Sequence, residues 1–160
     1  RSSDLMLGLN ENKKTKLICE LFCGSGTITL PLLKKTYQIH AFELDKESLK
    51  SLDIAARKES FGNRVKTKVR DLKNFPLTSD ELSKYDAIIV DPPRSGAKLQ
   101  FLNIARSNVS IIVSISCNVN TFVRDAKILI ESNYELKWVQ PIDQFLFSAH
   151  VELVAIFQLK

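Results

Sequence analysis

Leu17-Ile18-Cys19-Glu20-Leu21-Phe22-Cys23-Gly24-Ser25-Gly26-Thr27 is an apolar run that breaks at a turn with two glycines and leads into a helix-like stretch from Thr27 to Lys35. Strand, glycine turn and helix in that order are the opening unit of a parallel α/β sheet. The same alternation continues outward. Gln38 to Glu43 reads as a second strand, and Lys46 to Ser60 as a helix in which Leu49, Leu52 and Ala56 share a face by i, i+3, i+7 spacing. Phe61-Gly62-Asn63 ends it, a lysine-rich third strand covers Arg64 to Val69, and Ser79 to Lys84 forms a short helix. Ala87 to Val90 is apolar at every position, which predicts a central strand buried on both faces. A helix over Gly96 to Ser107, a strand over Ser110 to Ser116 and a helix over Val119 to Ser132 follow, the last with Phe122, Ala126, Leu129 and Ile130 on one face. Two further strands, Tyr134 to Gln140 and Val151 to Leu159, flank Gln144 to Ala149. Seven strands with five interleaved helical segments predict a doubly wound, mostly parallel seven-stranded sheet finished by an antiparallel last strand.

At 160 residues and 44% apolar content, the chain is long enough for one buried core and too short for two ordinary domains. The expected division is a leader over residues 1–16 and one domain over residues 17–160. No stretch approaches the roughly 20 apolar residues needed to span a bilayer, and no signal-peptide pattern opens the chain, so a cytoplasmic protein without membrane contact is expected. Three cysteines without regular spacing suggest neither a disulfide framework nor a metal site and fit a reducing compartment. The net charge of +5 is compatible with a polyanionic partner without requiring one. A monomer is expected, and the lack of an initiating Met reads as a sign that the chain is a piece of something longer.

Ligands of doubly wound sheets sit at the carboxyl ends of the strands, and the chemistry-bearing residues fall there. At the end of the first strand, Gly24 and Gly26 allow backbone to approach a ligand closely. A dinucleotide fingerprint would place a third glycine at position 29, where this chain has Thr29. Nicotinamide is therefore disfavoured. Glu43, closing the second strand, can accept hydrogen bonds from two ribose hydroxyls, and Asp71, just past the third, is placed to reach an adenine amino group. Tight-turn geometry and solvated surface acids are the bland readings of the same residues. This block resembles the first motifs of class I S-adenosylmethionine-dependent methyltransferases, which implies that cofactor and a role for Glu20 in holding its cationic methionyl end.

The other reactive positions close the fourth and fifth strands and open the seventh. Ile115-Ser116-Cys117-Asn118 puts a thiol at a strand end with a helix starting just beyond, an arrangement that favours a nucleophilic thiolate. In the neighbouring loop Asp91-Pro92-Pro93-Arg94, consecutive prolines stiffen the chain and hold Asp91 and Arg94 in fixed directions. His150-Val151-Glu152 begins the last strand. Buried small residues are the alternative fate of cysteines, expected for Cys19 and for Cys23.

Taken together, Glu20 to Pro31, Asp91 to Ala97, Ser116 to Asp125 and Asp143 to Glu152 closely resemble the S-adenosylmethionine-dependent RNA uracil-5-methyltransferases, which form 5-methyluridine in transfer or ribosomal RNA. The likeness runs from about Leu17 to the chain end. It implies that Cys117 is the nucleophile, that Glu152 is the base, and that Asp91 orients the target or the cofactor. It also implies cofactor contacts by Phe22, Thr27 and Glu43. Members usually carry an amino-terminal RNA-binding domain of small-barrel type, and the resemblance implies that this chain is normally attached to one. Val119, Thr27 and Leu146 depart from residues common in the family. Arg94, Lys98, Arg106, Arg124 and Lys127 are candidate phosphate contacts, although solvated helix faces explain them as well. Two other readings stay open. RNA cytosine-5 methylation uses the same thiol logic, but its enzymes usually carry a second Cys where Arg94 stands; a non-catalytic cofactor- or RNA-binding module is the third.

Overall fold

A computed structural model of the chain describes residues 17–35, 38–143 and 151–160. The elements in order are β1 (Leu17–Leu21), α1 (Thr29–Leu33), β2 (Gln38–Glu43), α2 (Lys46–Lys58), β3 (Val65–Val69), α3 (Ser79–Leu82), β4 (Ala87–Val90), α4 (Lys98–Arg106), β5 (Ile111–Ser116), α5 (Val119–Ser132), β6 (Tyr134–Asp143) and β7 (Val151–Leu159). The seven strands form one sheet in the order β3-β2-β1-β4-β5-β7-β6. All pairs are parallel except β5–β7 and β6–β7, so the doubly wound sheet with an antiparallel last strand is realised. The order reverses between β1 and β4, the point where such sheets open a crevice beyond their strand ends.

Each face of the sheet has its own core. Cys19, Leu21, Ile88, Val90, Ile112, Ala155 and Phe157 pack on one side against Phe101 and Ile104 of α4 and Phe122, Ala126 and Leu129 of α5. Ile18, Ile39, Ala41, Ile89, Val113, Ile115 and Val154 face the other side, with Leu32 and Leu33 of α1 and Leu49, Leu52 and Ala56 of α2. β4, central as its composition dictates, is buried at all four positions. Tyr134 is fully buried, and its hydroxyl donates to the carbonyl of Val109 at 2.9 Å. Such a partner is what a buried phenol requires.

Several element limits differ from the sequence reading. α1 starts two residues later than expected, because residues 24–28 form the glycine turn before the first helical bond settles. Ile130 is 46% exposed rather than part of the buried face of α5. It lies eight residues after Phe122, about 80° around the helix, whereas Ala126 and Leu129 stay within about 40° of that direction. The sixth strand runs to Asp143 rather than Gln140, pairing through Asp143↔Val151. Pro141 is accommodated because β6 is an edge strand, where a missing N–H costs no ladder bond. Residues 1–16, the Gln144 to Ala149 connection and His150 lie outside the described residues. No helix among the described residues is long and apolar enough to cross a membrane.

Candidate active site

Strand alternation places the candidate residues on one face. Ile18 and Glu20 of β1 share a side, as do Ile89 and Asp91 at β4, Val113, Ile115 and Cys117 at β5, and Val154 and Glu152 of β7. The candidate groups therefore continue the α1/α2 side of the sheet past its carboxyl edge. Across the antiparallel β5–β7 pair the register ends at Ser116↔Leu153, so Cys117 follows the last paired residue of β5 and Glu152 precedes its partner on β7. Cys117 is half-buried, whereas Cys19 and Cys23 are sealed in the core, as expected for packing cysteines. Burial pushes both of those thiols up, with Glu20 adding to it.

Charge acts in sequence along this edge, from Glu152 on Asp91 and from Asp91 on Glu20. Burial, followed by the charge of Glu152, raises Asp91 to about 6. Glu20 is 1% exposed, and burial raises it to about 8 against the opposing effect of its bond from Thr29; the charge of Asp91 raises it further. The Thr29 hydroxyl donates to Glu20 at 2.6 Å. Position 29 is thus a hydroxyl serving a buried acid, a role the glycine fingerprint comparison did not reveal. At neutral pH an acid raised to about 8 holds its proton until a cation arrives.

That shift has a consequence for stability. Because the folded value lies above the ordinary 4.5, the folded state binds the extra proton, and Glu20 makes stability fall as pH rises from about 4.5 to about 8. The loss is at most about 1.4 kcal/mol per pH unit. Glu20→Gln should flatten this part of a thermal-melting profile and leave the ligand-free protein at least as stable at pH 8. A profile as steep as the wild type's would show that other groups govern it.

The glycine turn is built by both glycines in different ways. Gly26 has φ +93°, and a Cβ there would collide with the Leu52 side chain, so the turn packs directly on α2. Gly24 has φ +55° with nothing within 4 Å of its Cβ direction, which leaves backbone facing open space. Phe22 also takes a positive φ, +62°, unusual for a residue with a side chain. Thr27 is exposed at the end of the turn. The Gly24 N–H donates to Glu43 at 3.0 Å, while the other Glu43 oxygen accepts from the Leu44 and Asp45 N–H groups at 2.7 and 3.1 Å. This carboxylate ties the turn to the end of β2. Asp71 is committed to its own loop: it accepts from the Lys73 and Asn74 N–H groups and the Asn74 amide, which holds it below the usual carboxylate range.

A clamp between the Asp91 loop and α5 escaped the sequence reading. Asn118 caps α5 by accepting from the Asn120 and Thr121 N–H groups, and its amide donates to the Arg94 carbonyl at 3.3 Å. Thr121 donates to the same carbonyl, Arg124 to that of Ser95, and the Ala97 N–H to the buried Asp125. Gly96 sits beneath them, where a Cβ would meet Arg124, Asp125 and Thr121. Side chains from α5 thus hold the Asp91 loop beside Cys117. An N-cap residue directly after the thiol and an acid on the buried side of a helix were the available signals. Arg124, a candidate phosphate contact, is instead committed to Asp125 and Ser95, and Lys127 pairs with Glu131.

Residues 5–159 match the model of the tRNA (uracil-5-)-methyltransferase family. The chain belongs to that family. Among its curated relatives is an uncharacterized RNA methyltransferase of Agrobacterium fabrum, 47% identical over 91% of this chain and 35% of that protein. Another, from Mesorhizobium japonicum, is 45% identical over 90% of this chain and 35% of its own length. The chain therefore spans about a third of the length of these family members. Among solved structures, the tRNA (uracil-54, C5)-methyltransferase of Pyrococcus abyssi, in complex with S-adenosyl-L-homocysteine, superposes with a TM-score of 0.75 at 27% identity, covering 96% of this chain and 37% of that one.

Proposed function

We propose that the chain is the catalytic part of an S-adenosylmethionine-dependent methyltransferase that modifies carbon 5 of uridine in RNA. The observation carrying this reading is the meeting of Cys117, Asp91 and Glu152 on one face at one sheet edge, beside the glycine turn of a family member. The cradle fits the cofactor. Gly24 leaves open space at its Cβ direction, and the buried Glu20, protonated at neutral pH, would ionise against an aminoacyl cation. Phe22, Gly26 and Thr27 shape the turn beside them. Glu43 would share its carboxylate between the Gly24 N–H and ribose hydroxyls, and Asp71 has one acceptor site left beyond its loop bonds. When bound, S-adenosylmethionine supplies an electrophilic methyl group.

The chain's residues make the pyrimidine able to take it. The Cys117 thiolate bonds to carbon 6, and the carbon 5–carbon 6 π electrons move onto the ring as an enolate. Carbon 5, made nucleophilic by that addition, would accept the methyl group supplied by a cofactor held at the glycine turn, Glu20 and Glu43, with S-adenosylhomocysteine as the leaving group. Glu152 removes the carbon 5 proton, the double bond returns, and the carbon 6–sulfur bond breaks to free the thiolate. Asp91, held by the clamped proline loop, orients the base or the cofactor. A base in a stacked strand must leave its stack to reach this edge.

Incubation with RNA and methyl-labelled cofactor, followed by digestion to nucleosides, checks the product. Labelled 5-methyluridine is the expected result. Label in 5-methylcytidine would favour the cytosine reading, and cofactor binding without transfer to any RNA would favour a binding module.

A further inference from the structure

We propose that a basic groove on the α2/β3 side of the sheet binds the phosphate backbone of the RNA, away from the reacting base. This rests on the uridine-methylating reading above and extends it to a second contact surface. Lys46, Lys50, Asp53 and Arg57 follow i, i+4, i+7, i+11 spacing and form one stripe along α2. They line an open groove of about 370 Å³ between that helix and β3. β3 is the outermost strand of the sheet, so no further strand closes the groove on that side.

Among the described residues, no ion pair neutralises the positive charge lining the groove. Lys34, Arg70, Arg124, Lys127 and Lys137 all have carboxylate partners, while none of the ion pairs among the described residues includes Lys46, Lys50 or Arg57. The one acid in the groove, Asp53, accepts from the Thr67 hydroxyl at 3.0 and 3.1 Å and is thereby fixed against β3. A surplus of positive charge remains. Ile54 and Val69, 58% and 44% exposed, add apolar surface on which ribose or a base can rest. Lys66 and Lys68 do not belong to the stripe. Strand alternation sends them to the opposite face, where Lys66 helps lower His40, and there they blunt an unpaired edge.

Geometry suits an extended polyanion better than a single small anion. Lys46 to Arg57 spans about 16 Å along the helix axis, several times the ~3.4 Å between successive charges on a nucleic-acid strand. Four strand intervals separate β3 from β5, so the groove lies roughly 20 Å from Cys117. It opens on the same face of the sheet as Cys117 and Glu152. An RNA with its target base at the thiol can continue across the cofactor end of the sheet into the groove.

The test is the salt dependence of RNA binding by the intact chain and by a K46Q/K50Q/R57Q variant, read by fluorescence anisotropy with a single-stranded, uridine-containing RNA. Loss of three phosphate contacts should reduce the slope of log affinity against log salt by about 2 and weaken binding at least ~10-fold at low salt. Affinity for S-adenosylhomocysteine, measured by titration calorimetry, should not change and serves as the folding control. The K46R/K50R/R57K variant should restore the slope, and K127Q should leave it unaltered. An unchanged slope in the triple variant, with the wild type binding RNA, overturns the groove and spares the reading of function. A wild type with no RNA affinity overturns both. Displacement of RNA by polyglutamate at equal charge would indicate an acidic protein partner and overturn the RNA assignment.

Discussion

Cys117→Ala is expected to abolish methyl transfer to uridine, by at least ~1000-fold, equivalent to about 4 kcal/mol of barrier. Carbon 5 of uracil is too weak a nucleophile to displace a methyl group from a sulfonium without prior addition at carbon 6, so no slower route should rescue the variant. The change should cost little stability, because Cys117 is half-buried and lies just past the end of β5. Binding of S-adenosylhomocysteine should persist, since the glycine turn and Glu43 are untouched. With RNA containing 5-fluorouridine, the wild type should form a protein–RNA adduct stable to denaturation, because fluorine replaces the proton that must leave. The alanine variant should form none. Methylation of uridine by Cys117→Ala protein at anything near the wild-type rate would remove the thiol from the mechanism.

Glu152→Gln should show the complementary behaviour. Addition and methyl transfer need the thiolate, while release needs a base at carbon 5, so turnover should fall by about 10²- to 10⁴-fold while adduct accumulates on ordinary RNA. An adduct seen with 5-fluorouridine RNA in the wild type, and with unmodified RNA only in the Glu152 variant, separates the two steps on a denaturing gel. The substitution also removes the charge that Asp91 senses. Asp91 should then ionise at lower pH than its present value of about 6, shifting the acid limb of cofactor or adduct formation downward. Fast, complete turnover by Glu152→Gln would show that another group takes the proton.

The elements of the sheet were legible because their periodicities are strong and their neighbours short-range. Ala87 to Val90 has no polar residue, so only a central strand suits it, and Leu49, Leu52 and Ala56 can share a helix face and nothing else. Strand-end positions of Glu20, Glu43, Asp91 and Cys117 followed from the same local patterns. Less legible were features that depend on what lies across a gap in sequence. Thr29 looked like a missing glycine until β1 brought Glu20 beside it, and Arg124 looked free until Ser95 and Asp125 engaged it. Ile130 failed for a smaller reason, a rotation of about 80° from the buried direction that a list of apolar residues conceals.

By itself, the order of residues determined the alternation of strands and helices, the place where each strand ends, and the kinds of groups that stand there. Those are properties of neighbours within a few positions, set by backbone geometry and by the need to bury one face. Tertiary structure alone decided which ends meet. The strand order β3-β2-β1-β4-β5-β7-β6 puts Glu152, 35 residues after Cys117, on the strand next to the one that Cys117 follows, and it makes β3 an edge whose groove stays open. It also set the protonation of Glu20 and Asp91, because a carboxylate's charge depends on the water and the charges that packing leaves around it.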